Sequence, residues 1–406
     1  MANVSSSNGL EKYPKLRFLD SNGQEFSGWT RTVLGTIIVP FAEKVFGDHN
    51  YEVLTSSRNG IQRQSEHFAG KQRHDTDGYN IIPRGYCTYR NRSDDGLFTF
   101  NMNNIVDEGI VSKFYPVFTF QNANSTFMME YLNGSPRVRA KLSVLAVGTS
   151  QVVLSFETLK ETSFYLPIFE EQNRIASLLS TLNERIEKQR LLIEHLKKYK
   201  RGVIKEFLTP KTCPIKNAIW SKATIGELGT FVKGAPLSKA DISDEGTPFI
   251  LYGELYTTYG EVINKVVRKT QRSVDNVYLS RTGDVLIPTS GETPEEISTA
   301  SCVMVSGVIL AGDLNIFRTS KVDGRIMSYV LNHIVNSNIA RIAQGKSVVH
   351  IQASEISKIS ISYPDENTQQ QLISVFDGIS EKITLAEEAL AKMIMLKKSI
   401  IQKMFI

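Results

Sequence analysis

Two clusters of lysine and arginine are the groups in this chain whose type and spacing could bind an anionic ligand. The first cluster lies 42 to 63 residues after Trp29, and the second lies 45 to 61 residues after Trp220. Cationic side chains on strands and loops bind the phosphates of nucleic acids, and arginine also reads guanine edges. A charge run is more often a solvated surface, so the hypothesis depends on the recurrence at matching depth. The candidate contacts are Lys71, Arg73, Arg84, Arg90, Arg92, Lys265, Arg268, Lys269, Arg272 and Arg281.

No arrangement of residues typical of catalysis stands beside these clusters. The stretch AQGKS at 343–347 ends like a phosphate-binding loop, but the earlier glycine of that motif would fall at Ala340. No Asn/Asp-Pro-Pro-Tyr/Phe stretch of an adenine methyltransferase appears, and the six histidines form no metal-ligand cluster. Pro364-Asp365 could begin a nuclease-like motif, but an acidic residue at a helix start explains it equally well. We therefore expect a chain that performs no chemistry and binds no cofactor itself.

The bulk composition is that of an ordinary globular protein. Its 406 residues suffice for two or three domains, and 41% of them are hydrophobic and 22% charged. No apolar run approaches the roughly 18 residues of a membrane span, and the first residues lack the apolar core of a signal peptide. Three widely spaced cysteines favour a reducing compartment. We expect a cytoplasmic protein with no membrane partner, whose net charge of +5 permits a nucleic-acid partner without establishing one.

The elements that must position the cations are organised by an internal repeat. Residues 146–208 and 343–405 align at an offset of 197 without a gap. An ungapped register over about sixty positions is rare between unrelated helical patterns, so we interpret the two segments as copies of one frame. The identical pairs that define this frame most clearly are Gly148 and Gly345, Pro167 and Pro364, and Gln172 and Gln369.

Each copy consists of a short strand closed by proline and then a long helix with a heptad pattern. Apolar residues recur at alternating steps of three and four from Ile175 to Phe207 and from Leu372 to Met404. This spacing predicts a coiled coil of about five heptads, and the simplest partner for one helix is the other. Lys200 and Lys397 occupy the same seam position. The favoured interpretation is that each lysine reaches solvent at the seam edge, and the alternative is that it sets register.

A second repeat precedes each helix, so the chain has the order unit, helix, unit, helix. WTRTVLGTI from Trp29 aligns with WSKATIGEL from Trp220, while the interiors of the two units differ. Both interiors contain short runs of β-branched and aromatic residues separated by turn residues, which predicts β-rich domains and an α+β chain. Aromatic residues among the first cations could stack on bases, but core packing is favoured for Tyr79, Tyr86, Tyr89, Phe98 and Phe100.

This organisation resembles the specificity subunit of type I restriction–modification systems over essentially the whole chain. The matching features are the opening YPKLRF followed by Trp and Leu-Gly, the restart IW followed by IGEL, and Gly-x-Ser with Pro and Glu-Gln before each long helix. The first helix opens with Glu170-Glu171-Gln172, whereas the second opens with Asn367-Thr368-Gln369 and lacks the glutamate. If the glutamate contacts a partner, one of two such contacts would be weakened.

The resemblance implies an α+β fold with two β-rich target recognition domains, separated by two long antiparallel coiled-coil helices in a pseudo-twofold repeat. The expected boundaries are 1–164 and 209–361 for the recognition domains, and 165–208 and 362–406 for the helices. The implied partners are double-stranded DNA, two modification subunits and two restriction subunits. S-adenosylmethionine, ATP and Mg²⁺ would then belong to those subunits. Each recognition domain would read half of a split site, and Gly148, Gly345, Pro167, Pro364, Gln172 and Gln369 would form the frame or its partner contacts.

Two other functions remain open at the level of sequence. The chain could be a specificity subunit of a related system in which one partner polypeptide both cleaves and methylates. It could also be a coiled-coil scaffold whose two β modules bind protein or carbohydrate. A steep salt dependence of DNA affinity would distinguish DNA recognition from the scaffold.

Overall fold

The computed structural model describes residues 14–67, 75–342 and 349–405. The chain divides into two compact units. The first is built from two separate stretches of the chain, and the second is built from the middle of the chain. Unit 1 consists of Met1–Arg190 with Glu388–Ile406, and unit 2 consists of Leu191–Glu387. Each long helix therefore begins in one unit and ends in the other.

Unit 1 contains two four-stranded sheets, with strand orders β2-β10-β6-β8 and β4-β3-β9-β5, and two isolated strand pairs, β1-β12 and β7-β11. Its strands are Thr30–Val33 (β1), Ile38–Phe41 (β2), Glu52–Ser57 (β3), Gly60–Arg63 (β4), Asn80–Pro83 (β5), Cys87–Tyr89 (β6), Arg92–Ser93 (β7), Phe100–Met102 (β8), Glu108–Val111 (β9), Val117–Phe120 (β10), Val152–Val153 (β11) and Ser163–Leu166 (β12). Its helices are Gln64–His67 (α1), Ser125–Gly134 (α2), Pro136–Leu145 (α3), Phe156–Glu161 (α4) and the first part of Phe169–Phe207 (α5).

Unit 2 contains a five-stranded sheet of order β14-β22-β18-β20-β16, a three-stranded sheet of order β17-β15-β21, and the pairs β13-β24 and β19-β23. Its strands are Trp220–Thr224 (β13), Gly229–Lys233 (β14), Thr247–Leu251 (β15), Val262–Ile263 (β16), Arg268–Thr270 (β17), Asp284–Pro288 (β18), Ser290–Gly291 (β19), Ser301–Val303 (β20), Ile309–Ala311 (β21), Leu314–Thr319 (β22), Val349–His350 (β23) and Ser360–Pro364 (β24). Its helices are Glu254–Thr257 (α6), Pro294–Ile297 (α7), Gly324–His333 (α8), Asn336–Ile342 (α9), Ala353–Ile356 (α10) and the first part of Glu366–Met404 (α11).

The repeated frame has the same construction in both units. In each unit, the strand at the tryptophan pairs antiparallel with the strand that leads into the long helix. These pairs are β1, directly after Trp29, with β12, and β13, which begins at Trp220, with β24. The turn after β1 and the turn after β13 make equivalent backbone hydrogen bonds to the segment before the paired strand. Leu34 N donates to Thr162 O at 2.8 Å, and Ile225 N donates to Ile359 O at 3.0 Å. The two units thus share their frame and the strand orders β2-β10-β6-β8 and β14-β22-β18-β20, while β4 and β5 pair with other neighbours than β16 and β17 do.

The two long helices confirm the predicted coiled-coil pattern. Each has 39 residues, or about 58 Å at 1.5 Å per residue. Within unit 2, Lys197 pairs with Glu387 at 2.6 Å, and the rings of Phe207 and Phe376 lie 6.4 Å apart. A later residue of α5 therefore faces an earlier residue of α11, so the two segments run antiparallel there, as predicted.

The end of a long helix completes the core of each unit. In unit 1 the Phe405 ring lies 5.9 Å from Phe127 and 5.3 Å from Tyr131, in the same apolar cluster as Trp29. In unit 2 the end of α5 contributes Val203 and Ile204 to the main cluster, and Leu208 directly after the helix joins them. Tyr89, Phe98 and Phe100 are buried, so their interpretation as core residues is confirmed, and Tyr79 and Tyr86 are half-buried.

The favoured interpretation of the seam lysines is wrong. Lys200 is only 14% exposed and bonds to Glu261, and Lys397 is 23% exposed and bonds to Glu130. Both ammonium groups thus lie against the body of a unit instead of extending into solvent. Over the described part of the chain, no helix is long and apolar enough to cross a membrane.

Candidate nucleic-acid interface

A cleft of about 510 Å³ in unit 1 brings together cations from three separate parts of the chain. Arg58 comes from the tight turn between β3 and β4, Arg90 directly follows β6, and Arg92 lies in β7. Hydroxyl side chains of β3 and β7 and the ring of Tyr115 line the same space. Three guanidinium groups beside hydroxyl groups form a surface that suits phosphate oxygens and base edges.

The guanidinium groups of this cleft differ in how strongly other groups hold them. Arg58 pairs with Asp95 at 2.7 Å, and this hydrogen bond, with that of Ser93, lowers the pKa of Asp95 to about 2. The Arg92 guanidinium lies 5.3 Å from the centre of the Phe114 ring, and Arg92 is exposed. Among the described residues, no carboxylate forms an ion pair with Arg90 or Arg92. These two arginines can therefore bind a phosphate without first breaking an internal salt bridge.

The other predicted cations of unit 1 do not lie in the cleft. Arg84 follows β5 and bonds to Asp107 at 2.9 Å and to Asn104 O at 2.6 Å. Its guanidinium therefore links two loops and is half-exposed. Lys71 and Arg73 lie outside the described residues.

The predicted cations of unit 2 are all exposed, and two of them, Arg268 and Lys269, lie on β17. Arg268 pairs with Glu254 at 3.1 Å, and Arg272 pairs with Asp241 at 2.8 Å. Lys269 follows Arg268 on the strand and therefore points to the opposite face. The remaining two are Lys265, between β16 and β17, and Arg281, in the turn before β18.

A second cleft, of about 970 Å³, lies beside β17 and has mixed charge. Arg268 and Lys239 contribute positive charge, and Glu254, Glu292 and Glu296 contribute negative charge. Carboxylates accept hydrogen bonds from cytosine amino groups, whereas arginine donates to guanine. The two clefts thus offer different sets of donors and acceptors, as different targets would require.

Sequence reasoning missed several residues that line the two clefts. Arg58 could have been recognised from the stretch TSSRNG, in which Asn-Gly after an alternating run is a strong hairpin signal. Lys239, Tyr252 and Tyr256 carry no such signal, because only the pairing of β15 with β17 and β21 places them beside Arg268.

In each unit a buried frame glutamine, Gln172 or Gln369, joins two backbone groups by hydrogen bonds, an arrangement called here a glutamine clamp. Gln172 Nε2 donates to Pro167 O at 2.9 Å, and Gln172 Oε1 accepts from Asn124 N at 2.9 Å. Gln369 makes the same two bonds, with Pro364 O at 2.8 Å and Asp323 N at 2.7 Å.

The clamped residues cap α2 and α8, because Asn124 Oδ1 accepts from Phe127 N and Asp323 Oδ1 accepts from Arg325 N. Each clamp thus joins the strand end, the long helix and a helix of the unit interior. Both glutamines are buried, at 4% and 3% exposure. They act within their units and present no surface to a partner.

Other frame residues have local roles. Gly148 has φ +149°, and a Cβ at this position would lie 2.1 Å from Gln151 O, so only glycine fits. Gly345 lies outside the described residues. Asp365 accepts from Thr368 N at 3.1 Å, which supports its interpretation as a helix cap.

The glutamate that the second copy lacks is not exposed in the first copy. Glu171 is fully buried and receives two hydrogen bonds from Arg17, at 2.9 and 2.6 Å. Thr368 takes its place in the second copy and donates to Asp365 at 2.7 Å. The sequence difference at this position therefore changes an internal contact.

The part of the chain that the structure describes contains no group of three His, Cys, Asp or Glu side chains that could hold a metal ion. Residues 48–195 and 217–393, which include most of both repeats, match the family model described as type I restriction modification DNA specificity domain.

Two solved structures are similar to this chain over nearly its whole length. A type I restriction–modification system S subunit from M. genitalium is 14% identical, with a TM-score of 0.58 over 97% of this chain and 99% of the other. A chain from a study of complex assembly and conformational transition of the type I R-M system is 17% identical, with a TM-score of 0.55 over 92% of this chain and 96% of the other. At these identities the likeness concerns the fold alone.

Proposed function

Because this chain belongs to the type I restriction–modification DNA specificity family, we propose that it recognises a DNA target in two parts and directs partner subunits to it. Specificity subunits of this family are generally non-catalytic, and we propose the same role here. Unit 1 would read one half of the target, and unit 2 would read the other.

The observation that carries this proposal is the contrast between the frame and its contents. The strand pairs β1-β12 and β13-β24 and the two glutamine clamps repeat closely. The clefts inserted between them differ in their balance of charge, since three arginines and one carboxylate line the first, whereas two cations and four carboxylates line the second. A repeated frame suits two equivalent partner copies, and different clefts suit two different half-sites.

The long helices would separate the two half-sites. Each helix has 39 residues and buries seam residues in both units, Ile175 and Val203 in α5 and Phe376 and Met404 in α11, and this packing would keep its length constant. A fixed protein length then fixes the number of unread base pairs, as dimer geometry fixes half-site spacing in other DNA-binding proteins.

The partners would supply the chemistry. We propose that two modification subunits use S-adenosylmethionine to methylate adenine, and that two restriction subunits use ATP and Mg²⁺ to translocate and cleave DNA. The chain itself would bind none of these cofactors. A related system, in which one polypeptide combines cleavage and methylation, would use the same two clefts.

The salt dependence of DNA binding tests the proposal. The chain, assembled with its modification subunit, is titrated with duplex DNA at several salt concentrations. A contact surface that neutralises several phosphates gives a log–log slope of about −0.9 per phosphate. A slope near zero at all concentrations would favour the coiled-coil scaffold and contradict DNA recognition.

A further inference from the structure

Two matching ion pairs join the long helices to the bodies of the units. In unit 2, Lys200 Nζ of α5 lies 2.9 Å from Glu261 Oε2. In unit 1, Lys397 Nζ of α11 lies 3.1 Å from Glu130 Oε2. The two lysines occupy the same position in the repeat, 197 residues apart.

Each glutamate also binds a second side chain. His333 Nε2 donates to Glu261 Oε1 at 3.0 Å, and Asn183 Nδ2 donates to Glu130 Oε1 at 2.7 Å. All four charged side chains are less than a quarter exposed. A carboxylate that accepts hydrogen bonds from two side chains, one of them a charged lysine, satisfies both only within a narrow range of geometries.

The two glutamates come from unrelated parts of the unit interiors. Glu130 lies on α2, whereas Glu261 directly precedes β16. The lysine belongs to the repeated frame, but its partner is provided by a different element in each unit. The same pairing therefore occurs in two dissimilar surroundings, which distinguishes it from a contact inherited with the frame.

The lysines lie at equal distances from the glutamine clamps. Lys200 follows Gln172 by 28 residues, and Lys397 follows Gln369 by 28 residues. This interval is about 42 Å of helix at 1.5 Å per residue. Each long helix is thus fixed near its start by a clamp and near its end by an ion pair, at the same separation.

The apolar seam alone would hold the helix ends less specifically. Apolar contacts are non-directional, so a helix can rotate or shift slightly against them at small cost. A partly buried ion pair has a defined geometry, and polar groups at heptad seams are known to set register.

We propose that the Lys200–Glu261 and Lys397–Glu130 pairs are positioning residues that fix the spacing between the two DNA half-sites. This inference rests on the proposed function of the chain. The pairs touch no DNA in this account. They act by fixing the rotation and the axial position of each helix end against the unit that it contacts.

The test compares methyl transfer on duplexes that differ only in spacer length. The chain with its modification subunit is given the native spacer and spacers one base pair shorter or longer. The tested variant is Lys397→Met, which keeps side-chain length and helix propensity. The control is Lys398→Met, which replaces the exposed neighbouring lysine.

We expect Lys397→Met to reduce the preference for the native spacer about tenfold, which corresponds to about 1.4 kcal/mol. Lys398→Met should leave the preference unchanged. The charge exchange Lys397→Glu with Glu130→Lys should restore it, because the Asn183 amide can turn its oxygen toward the new lysine. If Lys397→Met fails to fold, as judged by fluorescence, Glu130→Gln replaces it in the same comparison.

The outcomes separate this inference from the proposed function. A merely structural role would lower the rate equally on all spacers, and an unchanged preference in the folded variants would overturn the inference. In that case the wild-type complex would still methylate a split site, and the proposed function would stand. If the wild-type complex methylates no split site at any spacer, the proposed function fails and the inference fails with it.

Discussion

Replacing Gln172 with alanine is expected to lower the free energy of unfolding of unit 1 by about 2–4 kcal/mol. The substitution removes two hydrogen bonds of 2.9 Å and leaves Pro167 O and Asn124 N without their partner. A buried backbone group without a partner costs about 1–3 kcal/mol. Asn124 N is only partly buried, so water can replace some of its bond and the lower half of the summed range applies. Gln172→Glu should be at least as harmful, because a carboxylate cannot donate to Pro167 O.

The two tryptophans of the chain allow this effect to be measured in one unit. Trp29 is 2% exposed and lies within 6.2 Å of the Phe127 ring, so its fluorescence reports the core of unit 1. The partly exposed Trp220 is replaced with phenylalanine, which leaves Trp29 as the single reporter. Urea unfolding of this background with and without Gln172→Ala gives the change in free energy.

A second glutamine provides the matched control. Gln402 is exposed on α11, and Gln402→Ala should change the free energy of unfolding of unit 1 by no more than about 0.5 kcal/mol. If Gln172→Ala costs no more than Gln402→Ala, the clamp does not hold the frame. If instead Gln172→Ala leaves stability intact and weakens assembly with the modification subunit, the glutamine is a partner contact and our interpretation is wrong.

Four further results are expected. Replacing both Arg90 and Arg92 with alanine should weaken DNA binding by the assembled complex and reduce the salt slope by up to about 2, since each phosphate contact contributes about 0.9; an unchanged slope would exclude the unit 1 cleft as a contact surface. Burial alone would raise the pKa of Glu261, but its bonds with His333 and Lys200 outweigh this and lower the pKa to about 2. Ionised Glu261 therefore stabilises unit 2 at pH values above the ordinary pKa of glutamate. Between pH 5 and pH 2 the free energy of unfolding of the wild type should fall by roughly 3 kcal/mol more than that of Glu261→Gln. Parallel pH profiles of the two proteins in urea unfolding would contradict this. Phe405→Ala should cost unit 1 about 3–5 kcal/mol in the Trp29 fluorescence assay, because the ring packs against Phe127 and Tyr131 in the core; a cost below 1 kcal/mol would mean that the helix end is dispensable. Inserting one heptad into both α5 and α11 should lengthen the unread spacer in methylated sites without changing either half-site, and altered half-sites would show that the helices are not the spacer.

The repeat and the long helices could be predicted because their signals are local and periodic. An ungapped register and a heptad pattern are read directly from neighbouring residues, and the antiparallel segments of unit 2 agree with them. The order of strands within the sheets could not be predicted in this way. Parallel pairing of β3 with β9 and of β15 with β21 joins residues about 57 to 60 positions apart, and no local pattern specifies it.

The polar contacts of the helices show where sequence reasoning fails. Lys200 and Lys397 were identified as a matching pair, but their partners lie 61 and 267 residues away, at positions that do not correspond in the two units. Their expected exposure followed from the usual behaviour of lysine at a heptad edge, but ion pairs with two half-buried carboxylates hold the lysines against the units instead. The surrounding fold, rather than the heptad, decides the environment of these side chains.

The cations of unit 1 illustrate the same limit at the candidate site. By sequence alone, Arg84 and Arg90 are equivalent members of one cluster. The fold places Arg90 in the cleft with Arg58 and Arg92, and it joins Arg84 to Asp107 outside the cleft. Clustering along the chain therefore predicted the region of the site, and the individual contacts depended on strand pairing.

Sequencing of methylated bases in cells that carry this chain with its modification subunit tests the central claim most directly. Our account predicts methylated adenines in one split motif with a fixed spacer, and loss of this methylation when the chain is deleted. A working modification subunit that methylates the same sites without the chain, or a motif in one continuous part, would contradict recognition of a two-part target by the two units.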